Sequence, residues 1–125
     1  MKKFSSILAL AAAIFTANTA SAASIDNEYA NGDKKSTTER VKANSTDVYT
    51  ETFYGGEEVC VIVIGDGDTD LDLYIYDEND NLIESDTDIL DTCVCTWTPK
   101  WTGEFKIKVK NLGSVYNEYT ISVTQ

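Results

Sequence analysis

Histidine is absent from the 125 residues, and proline occurs once, at Pro99. Without histidine the chain has no Ser-His-Asp or Cys-His arrangement and no His-ligated zinc hydrolase site. Basic residues are missing from a long central stretch, with no Lys or Arg between Asn44 and Pro99. The apolar run Ile7 to Phe15 is too short to span a bilayer, and no later run is longer. The 21 Asp and Glu outnumber the 10 Lys and Arg, for a formal net charge of −11. That balance argues against nucleic acid and anionic membrane surfaces, and it suits cations or basic partners. A glycosidase-type carboxylate pair would need a cleft, which a hundred-residue domain has little room to form. The chain therefore reads as a non-enzyme.

What is present begins with a targeting signal. Lys2 and Lys3 precede the apolar run, and Ala20-Ser21-Ala22 offers small residues for cleavage, so residues 1–22 read as a signal peptide cut near Ala22. Removing the two lysines takes the net charge from −11 to −13. The product is expected to be exported, either extracellular or periplasmic, with no membrane span. Residues 23–47 are polar and without period, and are expected to form a flexible leader. Residues 48–125 are enough for one domain with one core.

Within that domain the periodicity is two. Phe105, Ile107 and Val109 alternate with Lys106, Lys108 and Lys110, as a half-buried strand requires. Leu71, Leu73 and Ile75 alternate in the same way with Asp72, Tyr74 and Tyr76. Strands are also expected at 48–53, 57–64, 82–86, 93–98 and 118–123, divided by turn residues such as Gly55-Gly56 and Glu78-Asn79-Asp80-Asn81. About seven short strands and no helical stretch imply an all-β antiparallel β-sandwich.

Three cysteines are an odd number for an oxidising compartment. Cys93 and Cys95 stand two apart and face the same way, too awkwardly placed to bond each other. Cys60 is expected to pair with one of them across the sandwich, Cys93 before Cys95.

The stretch Gly65 to Asp77 carries the chemistry. Asp66, Asp68, Asp70 and Asp72 share one parity, and Asp66 to Asp91 holds eleven carboxylates. Neighbours about 7 Å apart along an extended chain repel by ~0.6 kcal/mol in water, and by ~2.4 kcal/mol at a surface-like dielectric. A divalent cation would relieve them, and oxygen-only ligands suit Ca2+. Asp66, Asp68, Asp70 and Asp72 are the expected ligands, with Asp86 and Asp88 contributing from the next connection. An EF-hand is excluded, because Leu71 occupies the glycine position of the loop. Tyr74 and Tyr76 on the outer sheet face, with Trp101 in a turn, are candidates for stacking on a sugar ring or docking on a protein.

Asp70-Leu71-Asp72-Leu73-Tyr74-Ile75-Tyr76-Asp77, followed by Asn79 and Asn81-Leu82, resembles the core signature of the bacterial pre-peptidase C-terminal (PPC) domain family, to which the collagen-binding domains of bacterial collagenases are related. Trp97-Thr98-Pro99, the stretch from Thr102-Gly103 to Asn111, and Asn117-x-Tyr119-Thr120-Ile121 match the rest of it. Asp80 stands where that family's hairpin turn commonly has glycine. The resemblance implies a jelly-roll-like, non-catalytic sandwich, in some members calcium-binding, that assists a secreted peptidase or binds its substrate. The expected function is a secreted binding module for an extracellular or envelope protein or polysaccharide. The alternative is an accessory to a separately encoded secreted peptidase.

Overall fold

A computed structural model describes the backbone at Lys2–Lys3 and residues 34–125. The expected cleavage near Ala22 and the first part of the expected leader, residues 23–33, lie outside the described residues. Residues 34–125 form eight strands: β1 (Lys34–Val41), β2 (Thr46–Phe53), β3 (Val59–Ile64), β4 (Leu71–Tyr76), β5 (Leu82–Asp86), β6 (Thr92–Trp97), β7 (Gly103–Asn111) and β8 (Asn117–Thr124). They make two antiparallel four-stranded sheets, ordered β2-β7-β4-β5 and β1-β8-β3-β6. This is the strand order of a jelly roll, an architecture built from two Greek keys. Lys2–Lys3 runs parallel to Tyr49–Thr50 along the free edge of β2. Among the described residues no helix is long and apolar enough to cross a membrane.

The inward face of each strand is the apolar parity of the sequence. Val59, Val61 and Val63 of β3, Leu71, Leu73 and Ile75 of β4, and Phe105, Ile107 and Val109 of β7 meet Ile121 and Val123 of β8 in one core. Trp97 closes one end of it, edge-on to Phe53 with centroids 5.4 Å apart. Asp77 caps the β4–β5 turn, accepting from the amides of Asn79 (2.8 Å) and Asn81 (2.9 Å). Asp80 takes the left-handed conformation there (φ 66°), which aspartate tolerates better than most residues with a side chain.

Two expectations are corrected. Residues 34–41, assigned to the leader, are a strand laddered along its whole length to β8. Its inward positions are Lys35, Thr37, Glu39 and Val41, so it carries no apolar alternation to read. It is held by backbone pairing, by hydroxyl pairs such as Thr38 with Thr120 (2.9 Å) and by an interior polar layer. There Tyr49 bonds Tyr119 (2.7 Å), Tyr119 donates to Asp47 (2.6 Å) and Lys35 donates to Glu51. The second correction concerns the cysteines, all three of which are free. Cys60 shares the outward parity of β3, whereas Cys93 and Cys95 on the adjacent β6 are buried inward. A Cys60–Cys93 bond would have to pass through the sheet. Burial pushes both inward thiols up to about 12, so neither is a nucleophile at neutral pH.

The core carboxyl of Glu51 has its pKa pushed up to about 7 by burial that outweighs the opposing pull of Lys35. An unfolded glutamate releases its proton near 4.5. Between about 4.5 and 7 the native state therefore binds the extra proton, and stability falls as pH rises. The predicted loss across that window is on the order of 2–3 kcal/mol. Denaturant titrations from pH 4.5 to 7.5 should show it in the wild type and a flatter profile in Glu51→Gln. An unchanged slope in the variant would contradict this assignment.

Candidate binding site

Four connections, two of them acidic, meet at one end of the sandwich. In this topology residues 42–45, 65–70, 87–91 and 112–116 link strand ends that lie side by side, as the pairing of Leu71 with Asn111 and of Ile64 with Thr92 requires. The parity reading of the aspartate row fails before Leu71, because 65–70 is a loop with Gly67 at φ 91° and not an extended strand.

Three of the six expected cation ligands accept from backbone amides. Asp66 accepts from the amides of Glu118 (2.9 Å) and Asp68 (3.0 Å), which hold its carboxyl below the usual range. Asp86 accepts from Val94 (2.9 Å) and Asp88 from Leu90 (2.9 Å). Asp68 is exposed. Among the described residues no group of three or more His, Cys, Asp or Glu is placed to hold a metal ion. Asp70 and Asp72 differ from the rest. Each has one buried carboxylate oxygen with no hydrogen-bond partner among the described residues. Asp72 is only 6% exposed, and burial, then the neighbouring Asp70, raise its pKa against the pull of Lys110. Its other oxygen accepts from the Tyr74 hydroxyl at 3.3 Å.

The loops themselves are tied together by two asparagines that sequence reasoning passed over. Asn111 and Asn117 are both fully buried. The Asn117 amide donates to Thr69 Oγ1 (3.0 Å) and, more weakly, to Asp91 Oδ2 (3.3 Å), and its oxygen accepts from the Asp66 amide (3.1 Å). Asp91 also accepts from the Gly67 amide (2.6 Å). Two loops, 65–70 and 87–91, thus converge on one side chain. Asn111 does the same for the other side, donating to Val41, Lys42 and Val115 carbonyls and accepting from the Gly113 amide (2.8 Å). The approach is close enough that a side chain at Gly113 would overlap Thr69, and one at Gly65 would overlap Asp91 and Asn117. Asn and Asp recurring at strand ends was the available signal, because both bond nearby backbone.

What this end presents to solvent is aliphatic. Ile89 is 82% exposed and Leu90 58%, and Leu112, Val115 and Tyr116 are exposed on the 112–116 loop, with the acidic 65–70 connection between the two. Arg40 lies over the Tyr116 ring at 4.8 Å. The three aromatic residues proposed from sequence are placed in two other regions. Tyr74 and Tyr76 are half-buried neighbours on the outer face of their sheet, 6.4 Å between centroids, with Lys108 over Tyr76 at 4.5 Å. Trp101, 45% exposed, sits in the β6–β7 turn at the opposite end, its backbone packed against Gly55. Since the buried amide of Asn117 joins two loops, Asn117→Ala is predicted to destabilise the fold by roughly 2–4 kcal/mol. Urea unfolding reads that cost, and a loss below ~0.5 kcal/mol would show the loops to be independent of this side chain.

No family model matches the chain, and no curated protein matches it. Solved structures do match in fold. The pre-peptidase C-terminal domain of a collagenase from Bacillus anthracis superposes with a TM-score of 0.57 at 18% identity, over 69% of this chain and 86% of that one. A mitogen from Yersinia pseudotuberculosis gives 0.60 at 14% identity, over 74% and 86%. A periplasmic inhibitor of g-type lysozyme from Aeromonas hydrophila gives 0.56 at 13% identity, over 78% and 91%. At these identities the chain shares their fold: it is a PPC-like β-sandwich.

Proposed function

We propose that the protein is an exported, non-catalytic binding module that engages an extracellular or envelope protein or polysaccharide through the loop end of its sandwich. The carrying observation is the union of two properties at that end: loops fixed by fully buried asparagines, and large aliphatic side chains left in water on those loops. Rigid loops lose little entropy on association, and exposed apolar patches with a polar rim mark interaction sites. Tyr74, Tyr76 and Trp101 offer secondary contact points away from it. Fold likeness to a lysozyme inhibitor and to a collagenase domain agrees with protein binding. The second reading, an accessory to a separately encoded secreted peptidase, rests on likeness to the collagenase domain alone.

Calcium belongs to the same proposal. Of the six aspartates considered, Asp70 and Asp72 are the pair whose buried oxygens call for a positive partner. A hard cation between them would supply it, with remaining ligands from water or backbone. Thermal unfolding in chelator and then in millimolar Ca2+ tests this directly. The expected result is a midpoint raised by about 4–8 °C, abolished in Asp72→Asn; an unchanged wild-type midpoint removes the cation. For the module itself, retention is measured on collagen, cellulose, chitin and peptidoglycan, with and without Ca2+, using Trp101→Ala and Tyr74→Ala as controls. Retention on at least one support is expected, and a protein that passes through all four unretarded contradicts the reading for polymers.

A further inference from the structure

We infer that the partner is a cationic protein, and that it receives the Ile89–Leu90 tip in an apolar cleft bordered by basic side chains. This deepens the binding-module reading and rests on it. Single exposed aliphatics are ordinary on protein surfaces; their distribution here is not. Among the described residues, five of the eleven exposed large apolar side chains lie on the loops at this end, and Ile89 and Leu90 stand adjacent at the tip of one of them.

The tip is held in shape before any partner arrives. Asp88 accepts from the Leu90 amide at its centre, Asp86 accepts from the Val94 amide on one flank, and Asp91 accepts from the Gly67 amide on the other. The main-chain amide of Gly65 also bonds the Asp91 carbonyl (2.9 Å), anchoring the loop's base to the neighbouring connection. An apolar protrusion of fixed shape fits a concave apolar receptor.

Charge narrows the receptor further. The tip's own loop and flank carry Asp86, Asp88 and Asp91, the connection bonded to it carries Asp66 and Asp68, and no Lys or Arg stands on either. Such a collar repels anionic lipid and acidic polymers, and a neutral glycan gains nothing from it. A basic rim around an apolar cleft satisfies both the collar and the tip, and the opposite charges would speed its association.

The test immobilises the protein and measures binding of a g-type lysozyme, a c-type lysozyme and ribonuclease A, three basic proteins with clefts. Serum albumin, which is acidic, and phosphatidylglycerol vesicles are the comparators. Saturable binding to at least one basic protein is expected, weakened at least tenfold in the Ile89→Ser/Leu90→Ser variant and again by 0.5 M NaCl. Both positions are exposed, so the variant should fold, which circular dichroism verifies. Asp88→Asn keeps an oxygen for the Leu90 amide while removing one charge, and should slow association and lessen its salt dependence. Three results overturn the inference: equal binding by the double variant, preference for albumin or vesicles, or no binding to any of the basic probes. Retention on the polymer supports with no basic protein bound would sink the partner class alone. A protein bound by neither set sinks the underlying reading as well.

Discussion

Asn117 is buried without residual exposure at the mouth of the sandwich, where its amide can be satisfied only by protein. An unmet polar group in such a place costs on the order of 1–3 kcal/mol, so the surrounding loops are drawn in until their carbonyls, hydroxyls and amides supply the bonds. Thr69, Asp66 and Asp91 answer from two different connections. Asn111 imposes the same requirement on the adjoining loops. The shape of the whole end follows from these two demands, including the small residues at 65 and 113 that permit the approach.

The acidic stretch takes on a different meaning in that setting. A row of aspartates beside a strand suggests one shared cation, because extended backbone would align them. Here the chain turns at Gly67, and three of the carboxylates each accept from backbone N–H groups while keeping their charge. A carboxylate accepting from amides is stabilised as an anion without any metal. Only Asp70 and Asp72, at the start of β4, retain oxygens that this mechanism leaves unserved. The negative charge that remains outward forms the collar from which Ile89 and Leu90 emerge.

Strands whose two faces differ were legible from the residues. β7 alternates Phe105, Ile107 and Val109 with lysines, and β4 alternates just as cleanly, so both were placed with the right face inward. β3 is apolar on both parities, which concealed that Cys60 points outward and led to a disulfide the sheet forbids. β1 was invisible for the opposite reason. Its inward positions Lys35, Thr37 and Glu39 face a polar layer built by Glu51 and two tyrosines that only the folded chain assembles. The resemblance to the PPC signature anticipated the jelly-roll order, and the sheets have it. The loop end was not legible, because it consists of contacts among loops distant in sequence.

The central claim is that these loops form one rigid surface fixed by side-chain acceptors. Amide hydrogen exchange followed by NMR tests it at the residues concerned. Gly67, Asp68, Gly113 and Glu118 donate to Asp91, Asp66, Asn111 and Asp66 respectively. Their amides should be protected to within about tenfold of those in β7, although Gly67, Asp68 and Gly113 lie outside the strands and the Glu118 amide bonds Asp66 instead of a strand. Exchange of these four at the rate of an unstructured peptide, with β7 still protected, would contradict the account.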